Sequence, residues 1–374
     1  MKILLGGIPL GCDNIGDEAI VYSVQKMLKD SLEGVEITVA TADPKTAERL
    51  GVSVVPGFGF AGCSLDGFAE VVRRHDAYVW CGATGLSDYP DVALDLLETA
   101  QREGVATFMW AVGMDDELNP VFFRASGRKR KILSKLGLVG WYEGRLRRRL
   151  ANRIAKILPR CKGVWLRDPQ SAKMLASMGF SDAGIAADTA ILCMGEGSRV
   201  KGEGSKVLGL CISTQRQVSD LEGVKGMIAA VRAHGAKVLG IPMNPKTDRA
   251  LLEKLDVECI KGDTWQDVCE AAAKCSVVLS SRLHLLILAA NVGTPILGIA
   301  RGAKLANWLA NFGRTVEGGV YDCDWKKVAK HVIDELDNRG DWDKVRDAAY
   351  ENLMARLNSA KSEFVDKVGG KRQE

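Results

Sequence analysis

Short apolar runs alternate with stretches of helical periodicity along the whole chain, the pattern of a parallel α/β architecture with strands buried on both faces. In the first half the runs at 2–5, 35–40, 52–55, 77–80, 105–110 and 163–166 read as strands. A second series follows at 207–212, 237–241, 257–260, 277–279 and 294–299. Between the two lies GEGSRVKGEGSK, residues 195–206, polar and Gly-rich with Val200 as its one apolar residue, which reads as an interdomain linker. The pattern thus predicts a Rossmann-like domain at 1–194, a second one at 207–321, and a helical tail at 322–374 able to pack back across the first domain. Two such domains are expected to face each other across a cleft.

In open parallel α/β sheets ligands bind beyond the carboxyl ends of the strands, where helix N-termini also present partial positive charge. Residues just after each strand therefore form the shortlist. The stretch 277–312, VVLSSRLHLLILAANVGTPILGIARGAKLANWLANF, says most. Ser280 and Ser281 are good N-caps for the apolar helix that follows, which puts His284 in its first turn. One unit later, Arg301 and Lys304 stand at the equivalent point. Arg282, Arg301 and Lys304 around one imidazole suggest an anionic substrate and a proton to move. The blander alternative is a satisfied helix start among surface cations.

After the first strand comes GGIPLGCDNIGDEAI, where Asn14 and Asp17 can cap the following helix and, standing at a strand end, are candidate substrate-binding residues. This is not a P-loop, which needs GK[ST], and the GxGxxG spacing is absent. A second Gly-rich turn, CGATGLSDYP, follows at 81–90, and Arg167 and Asp168 follow the last strand of the first series. Arg167 can reach into a cleft or pair with Asp168.

Composition narrows the classes. With 47% hydrophobic and 26% charged residues over 374 positions, the chain is of globular type and long enough for two domains. No apolar run approaches the roughly 20 residues of a membrane span, and MKILLGG is too short for a signal peptide, so a cytoplasmic protein is expected. The ten cysteines form no CxxC pair and the four histidines no i, i+4 pair, so neither a disulfide framework nor a metal centre is expected. The net charge of +4 hides an asymmetry: 124–162 holds fourteen Lys or Arg and one acid, Glu143. Apolar residues interleave with these charges. Such a segment suits peripheral contact with an anionic membrane or another polyanion, and equally suits a solvated excursion. No nucleic-acid motif accompanies it.

These elements in this order resemble the polysaccharide pyruvyl transferase family. The matching marks are NIGDEA, GVWLRDPQSAKMLASMGF, AADTAIL at 186–192, and SSRLHLLILAANVGTPILGIARGAKLANWLANFG at 280–313. The resemblance implies a GT-B-like fold, with the acceptor on the N-terminal domain and the donor on the C-terminal one. It also implies transfer of a pyruvyl group from phosphoenolpyruvate to hydroxyls of a sugar in a cell-envelope polysaccharide or lipid-linked precursor, commonly as a ketal. No cofactor is implied beyond the donor substrate. Carried over by position, His284 becomes the catalytic histidine, with Arg167 and Lys304 binding donor charge; the residues themselves add Arg282 and Arg301. Ser213 stands where family members often carry an arginine, with Arg216 three residues on, and the turn at 81–90 lacks the family's Gln-Asp form. Two other functions fit the residues less fully: a GT-B glycosyltransferase using a nucleotide sugar, and a non-catalytic binding protein for anionic glycans.

Overall fold

The computed structural model describes residues 1–115, 118–193, 206–213 and 218–370. The linker expected at 195–206 lies outside the described residues except for Lys206, and Arg216 also lies outside them. Two compact units are present, and their bounds differ from a simple split at the linker. The first comprises Met1–Cys12, Ile20–Asp188 and Ala355–Glu374; the second comprises Asp13–Ala19 and Thr189–Met354.

The first unit is built on seven parallel strands: β1 (Lys2–Gly6), β2 (Glu36–Thr41), β3 (Ser53–Pro56), β4 (Ala77–Cys81), β5 (Ala106–Val112), β6 (Gly163–Leu166) and β7 (Gly184–Ile185). Their order is β3-β2-β1-β4-β5-β6-β7, with β1 paired to both β2 and β4. The central strand β4, AYVWC, is buried at every residue, as a strand covered by helices on both faces must be. Trp80, Tyr78 and Phe68 lead its core. The end of the long helix Trp342–Val368 joins this unit through Phe364, whose ring stacks on Trp110 at 4.5 Å and meets Trp165 edge-on at 5.4 Å.

The second unit carries β8 (Val207–Cys211), β9 (Lys237–Gly240), β10 (Val277–Ser280), β11 (Ile296–Ala300) and β12 (Gly318–Gly319), all parallel, in the order β12-β11-β10-β8-β9. From β8 the chain moves outward to β9 and then returns to β10 on the other side. The strand order therefore reverses between β8 and β10, the position where open α/β sheets hold ligands.

Two local expectations are corrected. Residues 257–260 form no strand: only Cys259 bridges, to Gly240. The four-residue β9 ends there and Pro242, lacking an N–H, cannot extend the ladder. Ser280 and Ser281 do not cap the helix Leu283–Asn291, whose N-cap position is Arg282. Ser280 Oγ instead accepts from the Arg282 N–H (2.8 Å), and Ser281 Oγ accepts from the Ser213 N–H (2.9 Å). The two-residue strands β7 and β12 carry no apolar pattern that a sequence reading could find.

Candidate active site

The carboxyl ends of β8, β10 and β11 lie side by side, and each delivers a polar residue. Ser213 follows β8; Arg282 and His284 follow β10; Arg301 and Lys304 follow β11. His284 is the second residue of the helix Leu283–Asn291, and Lys304 the second of Ala303–Ala310. The Ser213–Ser281 hydrogen bond ties the β8 and β10 ends together at the switch point. Arg301 Nη1 donates to Ser213 Oγ at 3.3 Å, so a guanidinium from the end of β11 reaches across to the end of β8.

The second unit also contains Asp13–Ala19, the first turn of the helix Ile15–Ser31 with the residues before it. Ile15 N–H donates to the carbonyl of Met243 (3.1 Å), and Asp13 pairs with Lys246 (2.8 Å), which fixes this segment over the β9 end of the sheet. Asn14 Oδ1 accepts from the Gly16 N–H at 3.2 Å. Gly16 then lies flat against His284: a Cβ there would stand 2.2 Å from Nδ1 and 2.7 Å from the histidine Cβ. Only glycine permits this approach.

One residue further, Asp17 is buried, and its Oδ2 has no hydrogen-bond partner among the described residues. Burial pushes its carboxyl from 3.8 up to about 6, even though His284, a hydrogen bond from Asn14, Lys304 and Arg282 all pull the other way. A buried carboxyl raised to about 6 can take up or release a proton near neutral pH, and the charge of His284 is the largest influence opposing its burial.

Arg282 has a role the sequence did not reveal. Its Nε and Nη2 donate to both oxygens of Asp248, at 2.9 and 2.8 Å. Asp248 is fully buried and also accepts from the Asn244 N–H (3.0 Å). The pair is bidentate and closed, so much of the Arg282 charge is spent on Asp248 rather than left for a ligand. Asp248 follows β9 in NPKTD, a strand-end position, but nothing in that spacing marks it as the partner of Arg282.

The first unit contains Arg167, at the end of β6. It too is buried, with Asp188 and Asp168 each at 3.4 Å and Asp115 nearby. Its guanidinium lies against Gly113, where a Cβ would approach Nη2 to 2.5 Å. Of the residues singled out in the sequence, Asn14, Asp17, Arg282, His284, Arg301 and Lys304 share the second unit, and Arg167 belongs to the first. Gly16 and Asp248 are the additions. Among the described residues no cluster of three or more His, Cys, Asp or Glu is placed to hold a metal ion.

Comparison with known proteins agrees with this layout at two levels. No curated protein matches the chain in sequence. Solved structures share the fold over nearly the full length of both chains. The UDP-GlcNAc 2-epimerase of Neisseria meningitidis, solved with UDP-GlcNAc, is 12% identical with a TM-score of 0.59, covering 99% of this chain and 100% of that one. An Anabaena protein solved with UDP and glucose is 13% identical with a TM-score of 0.59, covering 98% and 99%. The glycotransferase of kitacinnamycin gives 12% and 0.60, covering 98% of each. At such identities the likeness establishes the fold alone: α/β, with two Rossmann-like parallel sheets of the GT-B kind. The family model named polysaccharide pyruvyl transferase matches residues 14–302, a span that opens at Asn14 and closes just past Arg301. The chain belongs to the polysaccharide pyruvyl transferase family.

Proposed function

We propose that the protein transfers a pyruvyl group from phosphoenolpyruvate to two hydroxyls of a sugar in a cell-envelope polysaccharide or its lipid-linked precursor, forming a ketal in the cytoplasm. The observation that carries this reading is the buried Asp17 carboxyl under the charges of His284 and Lys304, with Arg301 reaching Ser213 at the switch point of the second sheet. Phosphoenolpyruvate brings a carboxylate and a phosphate, and a guanidinium and an ammonium suit both. His284 donates a proton to the methylene carbon, the adjacent carbon becomes electrophilic, and the first sugar hydroxyl adds there. The second hydroxyl then displaces the phosphate, which leaves as inorganic phosphate carrying one proton. The first hydroxyl gives its proton to Asp17, poised near 6, which passes it to His284 and so restores the proton that the histidine gave to carbon. Arg282 supports the site by holding the helix start through Asp248, and Arg167 is proposed separately as an anion-binding residue of the first unit. Arg216 and Asn14 complete the proposed set, Asn14 through its hydrogen bond to Asp17.

Thermal-shift titration tests the donor, because a ligand that binds only the native state raises its melting temperature. Phosphoenolpyruvate is expected to stabilise the protein, and phosphate release should require a saccharide acceptor. One observation favours a second reading, a glycosyltransferase using a nucleotide sugar: several proteins of similar fold were solved with UDP or UDP-GlcNAc. A shift with UDP-sugars and none with phosphoenolpyruvate would select that reading instead.

A further inference from the structure

The segment 124–162 folds as two helices, Gly127–Lys135 and Val139–Ile157, and the structure divides its charges into two classes. Near the C-terminal end of the second helix, Leu150, Ile154 and Ile157 are buried in the core of the first unit. Here Arg153 pairs with Asp91 (2.9 Å) and Asp95 (2.5 Å), and Lys156 with Glu98 (2.7 Å). These cations fasten the hairpin to the neighbouring helix Pro90–Arg102.

The other end is different. The helix Gly127–Lys135 buries no residue, and Arg128, Lys129, Arg130, Lys131, Arg147, Arg148 and Arg149 are all exposed. The segment's one acid, Glu143, is occupied locally, accepting from the Ala125 N–H at 3.2 Å. Among these cations stand apolar side chains in water: Leu136 is 63% exposed, Trp141 54% and Ile132 53%, with Leu138 beside them. Ile132 and Leu136 are four residues apart and so share a face. Lys129 lies 3.9 Å above the Tyr142 ring and donates to its hydroxyl at 2.6 Å, which holds the two helices to each other. A hairpin that is strongly basic, carries large apolar groups including an exposed tryptophan, and has a single acid against its many cations is a poor solvated face.

We infer that this hairpin is a docking surface for a bilayer rich in anionic lipid headgroups. The arginines and lysines bind the negative surface, while Ile132, Leu136, Leu138 and Trp141 enter the headgroup boundary. A structured polyanion such as nucleic acid would satisfy the charges but leave those apolar side chains without a purpose. The inference does not rest on the pyruvyl reading, since it concerns the first unit's surface and not the reaction.

Trp141 supplies its own probe: of the eight tryptophans, the other seven are at most 7% exposed. Vesicles of phosphatidylcholine with about a third phosphatidylglycerol are expected to sediment the full-length protein and shift its tryptophan emission to the blue, and pure phosphatidylcholine vesicles to do neither. The triple variant Arg147→Ala, Arg148→Ala, Arg149→Ala should weaken vesicle binding roughly 100-fold, about fivefold for each cation removed near the surface. Trp141→Phe should abolish the emission shift while leaving most of the sedimentation. An unchanged melting temperature establishes that either variant is folded. Equal binding to neutral vesicles, indifference to the triple substitution, or binding to a single-stranded oligonucleotide with none to anionic vesicles would each overturn the inference.

Discussion

Replacing Asp17 by asparagine separates what the site costs the fold from what it does. The Asp17 carboxyl is buried and its value lies near 6 rather than 3.8, with burial as the dominant cause. Its folded pKa is thus raised, so the native chain holds this proton over a pH range in which the unfolded chain has already lost it. Stability from this group is full below the unfolded value and is lost as pH rises through the folded one. A shift of roughly two units at 1.36 kcal/mol each makes ionised Asp17 a burden of about 3 kcal/mol above pH 7, and about 1 kcal/mol near pH 4.5. Asparagine keeps the shape and carries no charge to bury. Asp17→Asn should therefore raise the melting temperature by roughly 5–10 °C near pH 7.5 for a unit of this size, and by much less near pH 4.5. Differential scanning calorimetry at both pH values measures the difference. Turnover of the same variant should fall at least tenfold, since the amide cannot accept a proton. A variant destabilised more at pH 7.5 than at pH 4.5 would refute the reasoning, because Lys304 and His284 would then outweigh burial and the ionised carboxylate would be stabilising.

Other substitutions probe the same site from different sides. His284→Ala should lower the rate of phosphate release by roughly 10²–10⁴ while phosphoenolpyruvate still shifts the melting temperature; a near-normal rate would remove His284 from the chemistry. Gly16→Ala puts a methyl group where the imidazole now lies, so turnover should drop steeply and the melting temperature fall by a few degrees, the clash of about 1–3 kcal/mol outweighing the gain in helix propensity. Full activity in that variant would mean that the first turn of the N-terminal helix does not press on His284. Asp248→Ala leaves the Arg282 guanidinium buried without its bidentate partner, a loss of about 3–5 kcal/mol in chemical denaturation; a loss under about 1 kcal/mol would show the pair to be incidental to stability.

Much of this was written along the chain. The alternation of apolar runs and helical stretches located ten of the twelve strands among the described residues within one or two positions, because a parallel strand buried on both faces must be continuously apolar. The strand-end rule then nominated Arg282, His284, Arg301 and Lys304, since helix N-termini and strand ends follow from local periodicity. The basic asymmetry of 124–162 was likewise a matter of counting.

What tertiary structure alone decided was which partner each polar residue meets. Asn14 and Asp17 follow the first strand, and a linear reading assigns them to the first unit; the hydrogen bond to Met243 and the Asp13–Lys246 pair hold them in the second, against His284. Arg282 looked available to an anion until Asp248, thirty-four residues earlier, took both of its inner nitrogens. The reach of Arg301 to Ser213 joins residues eighty-eight positions apart. Burial and pairing arise between segments whose separation leaves no periodic trace, so sequence determines which side chains reach a sheet edge. Only the packed chain determines which of them retain a charge there, and which, like Asp17, are pushed up to about 6.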